Sequence, residues 1–211
     1  MKYRAGIFDM DGTLLHTSIE CIRFMVGESF RVFGVCLSDM EKDMFWYSYK
    51  REKMLDERGI DPGSFWEVFR KYDTPELRKR HASLYGDAKV IEELKQNGYK
   101  IGIVTGAPFH MIEIGKEMLG SENIDVVVRA QRSSGIEPKP SPRGIMECLK
   151  LMGMGKEKTF CVGNGDEDVI AARAAGILDV LVLREDYIPA KVSASLEVKS
   201  LYDLRNFLGL E

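Results

Sequence analysis

The chain has no cysteine framework. Its four cysteines, Cys21, Cys36, Cys148 and Cys161, are scattered over 211 residues, with no Cys-x-x-Cys pair and no neighbouring histidine. That spacing argues against a zinc site or a disulfide-stapled fold and reads as reduced thiols in a cytosolic protein. No apolar run approaches the length needed to cross a membrane. An excess of positive charge is also missing: 30 Lys and Arg against 33 Asp and Glu leave a formal charge of −3. The basic footprint of nonspecific nucleic-acid binding is therefore absent. The N-terminus runs almost directly into the first predicted strand, which leaves no room for a signal peptide and predicts a cytoplasmic location. No repeat, low-complexity segment or heptad is evident, so the oligomeric state cannot be read from the sequence.

What the chain does have is order at two scales. From Asp87 onward, short apolar runs alternate with amphipathic stretches. Strands are predicted at Lys100–Val104, Ile124–Val128, Thr159–Val162 and Val180–Leu183, and helices near 87–97, 108–119, 142–152, 167–175 and 200–208. Ser141-Pro142 reads as a helix start, with Ser as N-cap and Pro at the first helical position. Gly98 and Gly176 read as helix stops. Such alternation predicts an α/β fold: a parallel, Rossmann-like sheet with helices on both faces. Tyr3–Phe8 supplies its first strand. Residues 15–83 break the pattern, with few β-branched runs. Capping boxes at Thr17-Ser-Ile-Glu20 and Ser38-Asp-Met-Glu41, and a start at Thr74-Pro75, predict three or four helices there. The expected division is a core of 1–14 and 84–211 with a helical insertion of 15–83.

The densest chemical signal is Ile7-Phe8-Asp9-Met10-Asp11-Gly12-Thr13. Asp9 and Asp11 lie two residues apart where a strand should end, so they can converge on one volume and shift each other's pKa. A divalent cation, or a split between nucleophile and general acid, would make the pair tolerable. An exposed Asp-Gly turn is the plainer alternative. Thr105 in Ile101-Gly-Ile-Val-Thr105-Gly106, Lys139 in Glu137-Pro-Lys-Pro-Ser-Pro142, and Gly163-Asn164-Gly-Asp-Glu-Asp168 follow in order. Asp9, Thr105 and Asn164 each follow a predicted strand, and ligands of parallel sheets bind at that edge. Plainer readings stand beside each: Thr105 as a helix cap, Lys139 as a solvated loop lysine, and Asp166 and Asp168 as helix N-terminal charges. The aromatics Phe45-Trp46-Tyr47, Tyr49, Phe65-Trp66 and Phe69 read mainly as the core of the insertion.

These four motifs, in this order, resemble those of the haloacid dehalogenase superfamily, in its phosphoglycolate phosphatase and β-phosphoglucomutase-like branch with a helical cap. The resemblance covers the first fifteen residues and the last two-thirds of the chain. It implies a magnesium-dependent phosphatase acting on a small phosphorylated metabolite. On that pattern Asp9 is the nucleophile that forms an aspartyl-phosphate, and Asp11 is the general acid and base. Thr105, Gly106 and Lys139 hold the phosphate. Asp9, Asp11, Asn164 and Asp168 are the candidate magnesium ligands, with Asp168 alternatively orienting Lys139 or a metal-bound water. Asn164 departs from the pattern, which has aspartate there; a carbonyl oxygen remains, but one negative charge is lost, with Asp166 or Asp168 able to compensate. The alternatives are a phosphomutase using the same nucleophile, or a phosphate-metabolite binding protein weakened by Asn164.

Overall fold

The computed structural model describes residues 2–185 and 190–210. In chain order the elements are β1 (Ala5–Phe8), β2 (Leu15–Thr17), α1 (Ile19–Val32), α2 (Asp39–Trp46), α3 (Arg51–Asp56), α4 (Pro62–Tyr72), α5 (Pro75–His81) and β3 (Ala82–Leu84). There follow α6 (Val90–Gln96), β4 (Lys100–Thr105), α7 (Phe109–Leu119), β5 (Val126–Arg129), α8 (Arg143–Met152) and β6 (Thr159–Gly163). The last are α9 (Asp166–Ala175), β7 (Leu178–Val182), β8 (Leu196–Val198) and α10 (Leu201–Phe207). The chain divides into two compact units, Met1–His16 with Ser83–Glu211, and Thr17–Ala82. Among the described residues no helix is long and apolar enough to cross a membrane.

The larger unit is the expected α/β core. Its six strands run β5-β4-β1-β6-β7-β8, all parallel. Strands at the centre are buried on both faces, so β1 reads as an unbroken apolar run rather than an alternating one. One face packs Ala5, Ile7 and Cys161 against Cys148, Ala171 and Ala172 of α8 and α9. Phe8 and Tyr99 meet Phe160, with ring centroids 5.9 and 6.5 Å apart. The order reverses at β1, which has β4 on one side and β6 on the other. Consecutive connections leave in opposite directions there and open a crevice at the carboxyl ends of the strands.

The smaller unit holds five helices, not three or four, because the second half of the insertion divides into α3, α4 and α5, of which α3 is only six residues long. Phe30, Phe45, Phe65 and Phe69 form its core with Met25 and Leu55, and Trp46 and Trp66 pack against it. Ser38 and Thr74 cap α2 and α5 as the sequence predicts. Thr17 does not cap α1. That role passes to Ser18, which accepts from the Cys21 amide, while Thr17 Oγ1 accepts from Arg78 Nη1 at 3.1 Å. Arg78 is almost wholly buried and pairs with Asp73 at 2.6 Å, so its charge is compensated. Residues 15–17 and 82–84, expected to be helical or linking, pair as a separate two-stranded sheet.

Two further differences are local. Helix α8 starts one residue later than predicted: Pro142 takes the cap position, and Ser141 Oγ accepts from the Arg143 amide. Strand β8 is not visible as a sequence signal, because Leu196-Glu197-Val198 is too short for alternation to register. Gly102, on β4, lies where α8 comes closest. A Cβ there would sit 2.4 Å from Cys148 Sγ and 3.2 Å from Met152 Sδ. Gly102→Ala is expected to cost about 1–3 kcal/mol by overpacking, read as a lower urea midpoint with an unchanged m-value.

Candidate active site

Strand β1 ends at Phe8, in register with Ile103 of β4 and Val162 of β6. The Asp9 amide continues the ladder for one bond, donating to the Val162 carbonyl at 2.9 Å. The chain then turns tightly. The Met10 carbonyl accepts from Thr13, Leu14 and Leu15 amides, and Gly12 takes the left-handed conformation that a side chain would resist. Asp9 is therefore presented at the carboxyl edge of the sheet, buried, with Asp11 in the turn beyond it. This is a built position and not an exposed Asp-Gly turn.

Lys139 reaches into the same place. Its Nζ lies 2.5 Å from Asp9 Oδ1 and 2.5 Å from Asp168 Oδ1, and its side chain is 9% exposed. The solvated-lysine alternative is thereby ruled out. Burial disfavours the ammonium, but the Asp168 and Asp9 charges outweigh it and hold its pKa well above the ordinary lysine value. Burial pushes the Asp9 carboxyl up, to about 7; Lys139 opposes this, and Asp168 and Asp11 add to it. One ammonium thus leaves the negative charge at this edge incompletely compensated. Asp168 Oδ2 accepts from the Gly165 amide at 3.1 Å, so both of its oxygens already have donors. Asp166 is engaged elsewhere: its Oδ1 accepts from the Lys191 and Val192 amides at 2.7 and 3.0 Å. It does not make up the charge that Asn164 lacks.

Thr105 closes β4 and is buried. Its Oγ1 accepts from the Ala107 amide at 3.1 Å, which leaves the hydroxyl hydrogen to donate outward. It does not cap α7, whose cap position is Pro108 without a side-chain bond. Gly106, beside it, is exposed, and its carbonyl accepts from the Gln131 side-chain amide, whose oxygen is held by Arg129. The sequence carries no signal for Gln131, since its partner is a backbone carbonyl on the neighbouring strand end.

Asn164, just past β6, is buried beside the turn. Thr13 Oγ1 lies 3.0 Å from Asn164 Oδ1 and 3.4 Å from Asp9 Oδ2, while Asn164 Nδ2 is buried with no partner. A hydroxyl has one hydrogen and cannot donate to both oxygens. Turning the amide over resolves this: Nδ2 donates to Thr13, Thr13 donates to the Asp9 carboxylate, and Oδ1 takes the orphaned position. That position then holds a buried acceptor without a donor, beside an under-compensated carboxylate. A hard cation that prefers oxygen ligands fits it. Thr13 was not singled out in the sequence as a site residue, although its place in Asp-x-Asp-x-Thr was the available signal. Among the described residues no three His, Cys, Asp or Glu side chains form a metal-holding group.

If Lys139 is the compensating charge, Lys139→Met leaves Asp9 and Asp168 as buried neighbours. The Asp9 carboxyl then rises further above its unfolded value, and through it the folded state binds more protons than the unfolded chain between about pH 4 and 7. The variant's urea midpoint is expected to fall as pH rises through that window, more steeply than in the parent.

A family model described as haloacid dehalogenase-like hydrolase matches residues 6–182. The chain is 26% identical, over an alignment of 228 positions, to the pyrophosphatase PpaX of Bacillus mycoides (strain KBAB4), covering 95% of this chain and 98% of that one. Among solved structures, it is similar to a protein described as a predicted phosphatase from Clostridium acetobutylicum, at TM-score 0.83, 18% identity and full coverage of both chains. It is also similar to a hydrolase from Pseudomonas syringae, at TM-score 0.77, 19% identity and 98% coverage of each. Sheet order, motif order and the family match agree: the chain belongs to the haloacid dehalogenase-like hydrolases.

Proposed function

We propose that this hydrolase is a magnesium-dependent phosphatase of the cytoplasm that removes phosphate from a small phosphorylated metabolite through an aspartyl-phosphate on Asp9. The observation that carries this reading is the buried Asp9–Lys139–Asp168 cluster at the carboxyl edge of the sheet, 2.5 Å on either side of the lysine nitrogen. The pyrophosphatase named among its relatives acts on a phosphoanhydride, which supports phosphoryl chemistry here. We further infer that Thr17–Ala82 serves as the cap of the family pattern.

Phosphate esters resist attack because their charge repels nucleophiles, so positioning and charge neutralisation dominate catalysis. Lys139 holds Asp9 in one orientation and carries positive charge for the incoming phosphoryl group. Asp168 keeps Lys139 in place through Oδ1, and we assign it that role and not that of a cation ligand. Thr105 donates its hydroxyl hydrogen to a phosphoryl oxygen, and amides around Gly106 add donors. Asp9 attacks phosphorus, and the bond to the leaving oxygen breaks as Asp11 gives that oxygen a proton. Asp11 then takes a proton from water, which attacks the aspartyl-phosphate and frees inorganic phosphate and Asp9. Magnesium would be held by Asp9, the main chain at Asp11 and Asn164, and would supply charge neutralisation between carboxylate and phosphate.

Hydrolysis of p-nitrophenyl phosphate with and without magnesium tests the reading. Turnover is expected to need magnesium, to vanish in Asp9→Asn, and to fall about 10²–10⁴-fold in Asp11→Asn. A folded protein inactive at saturating magnesium, yet binding inorganic phosphate, would overturn it in favour of a binding protein.

A further inference from the structure

The turn that carries Asp11 and Thr13 is tied down by a residue outside every motif. Arg184 follows β7, and its side chain is 8% exposed. Its guanidinium forks onto Asp87, Nη1 to Oδ2 at 2.9 Å and Nη2 to Oδ1 at 3.0 Å. The same Nη2 donates to the Thr13 carbonyl at 2.5 Å. Its plane lies over the Tyr85 ring, 3.9 Å from the centroid. Asp87 is itself fixed by Ser200 Oγ at 2.9 Å and the Leu201 amide at 2.8 Å. Burial raises the Asp87 carboxyl, but the Arg184 hydrogen bonds, the Leu201 amide and the Arg184 charge outweigh it and hold it below the ordinary carboxylate range. The anchor is thus ionised and held by two further donors at its far end.

The near end is the part that matters chemically. Thr13 accepts Arg184 through its carbonyl, and through its hydroxyl it touches Asp9 and Asn164. The Leu14 carbonyl accepts from the Tyr85 amide at 3.0 Å, so Tyr85 meets both this turn and the guanidinium. A planar fork with five donors can serve a carboxylate and a carbonyl together; a lysine ammonium is a single point charge and cannot reproduce that geometry.

Building on the phosphatase reading, we propose that Arg184, fixed by Asp87, is a positioning residue that holds the Asp9–Thr13 turn in its reactive geometry through the Thr13 carbonyl. It touches neither substrate nor reacting atoms. Its loss displaces Asp11 and the Thr13 hydroxyl but leaves Thr105 and Lys139, which hold phosphate, on their own strand end and loop.

The test compares the full chain with Arg184→Lys, Asp87→Asn and Ser200→Ala, each assayed well below its melting temperature. The readouts are kcat for p-nitrophenyl phosphate with magnesium, the inhibition constant of inorganic phosphate, and Tm. Arg184→Lys and Asp87→Asn are expected to lose roughly 10- to 100-fold in kcat, the scale of a misplaced catalytic group. Phosphate inhibition should stay within about twofold, with kcat expressed per site counted by phosphate-binding stoichiometry, because a lost folded fraction would lower apparent kcat at an unchanged inhibition constant. Ser200→Ala removes one Asp87 contact and the cap that Ser200 Oγ gives the Tyr202 amide at the start of α10, leaves the Arg184–Asp87 fork in place, and should lower Tm without changing kcat. Wild-type kcat in both Arg184→Lys and Asp87→Asn would overturn the proposal, as would parallel loss of kcat and phosphate affinity. A wild-type protein without Asp9-dependent turnover would instead overturn the phosphatase reading, and this inference with it.

Discussion

The structure turns on one buried ammonium between two carboxylates. Isolated charges are expensive to bury, and a pair is tolerated only with close geometry and further hydrogen bonds. Lys139, Asp9 and Asp168 meet this condition at 2.5 Å, although Lys139 is 130 residues from Asp9 and 29 from Asp168. No local structure brings such positions together. A parallel sheet does, because each strand ends at the same edge and each crossover returns the chain to it. The apolar runs of β1, β4 and β6 and the close approach of α8 at Gly102 therefore serve the charge cluster as much as the core.

Charge also explains why Asn164 is compatible with the site. Asp9, Asp11 and Asp168 place three carboxyl groups around the one ammonium of Lys139, and burial already pushes Asp9 up to about 7. A fourth carboxylate at position 164 would raise it further unless a cation were always bound. The amide keeps an oxygen for a cation and gives a nitrogen to Thr13, which in turn can donate to Asp9. The exchange is weaker cation attraction for one carboxylate fewer beside Asp9, with the amide oxygen left as the acceptor that a cation would fill.

Much of this was legible in the sequence for identifiable reasons. The α/β alternation after Asp87 is long and repeated, so period and length agree on element type. Asp9, Thr105 and Asn164 stand at strand ends because the apolar runs stop beside them. Capping at Ser38 and Thr74 depends on neighbours three residues away and was readable. Thr17 was misread because its partner, Arg78, lies 61 residues on, and Ser18 beside it offers the same hydroxyl. The five helices of Thr17–Ala82 were undercounted because α3, at six residues, is too short to show a period. Asp166 stands in the first turn of α9, as its plainer reading had it, while the roles of Gln131 and Arg184 were invisible for one shared reason: each bonds to a backbone carbonyl whose position is set by the fold and not by residue type.

That last class separates what a family pattern specifies from what holds it in place. The pattern fixes the groups that meet phosphate, and it does so at single positions with defined chemistry. A carbonyl such as that of Thr13 is chemically identical in every residue, so nothing in a motif constrains what grips it. In this chain the grip is Arg184, backed by an aspartate at 87 that also holds the start of α10. Two charges buried together and shared among Thr13, Tyr85 and Leu201 join the reactive turn to two other parts of the core. Precision at the turn is thus set by a residue one strand beyond the last motif, where only geometry reveals it.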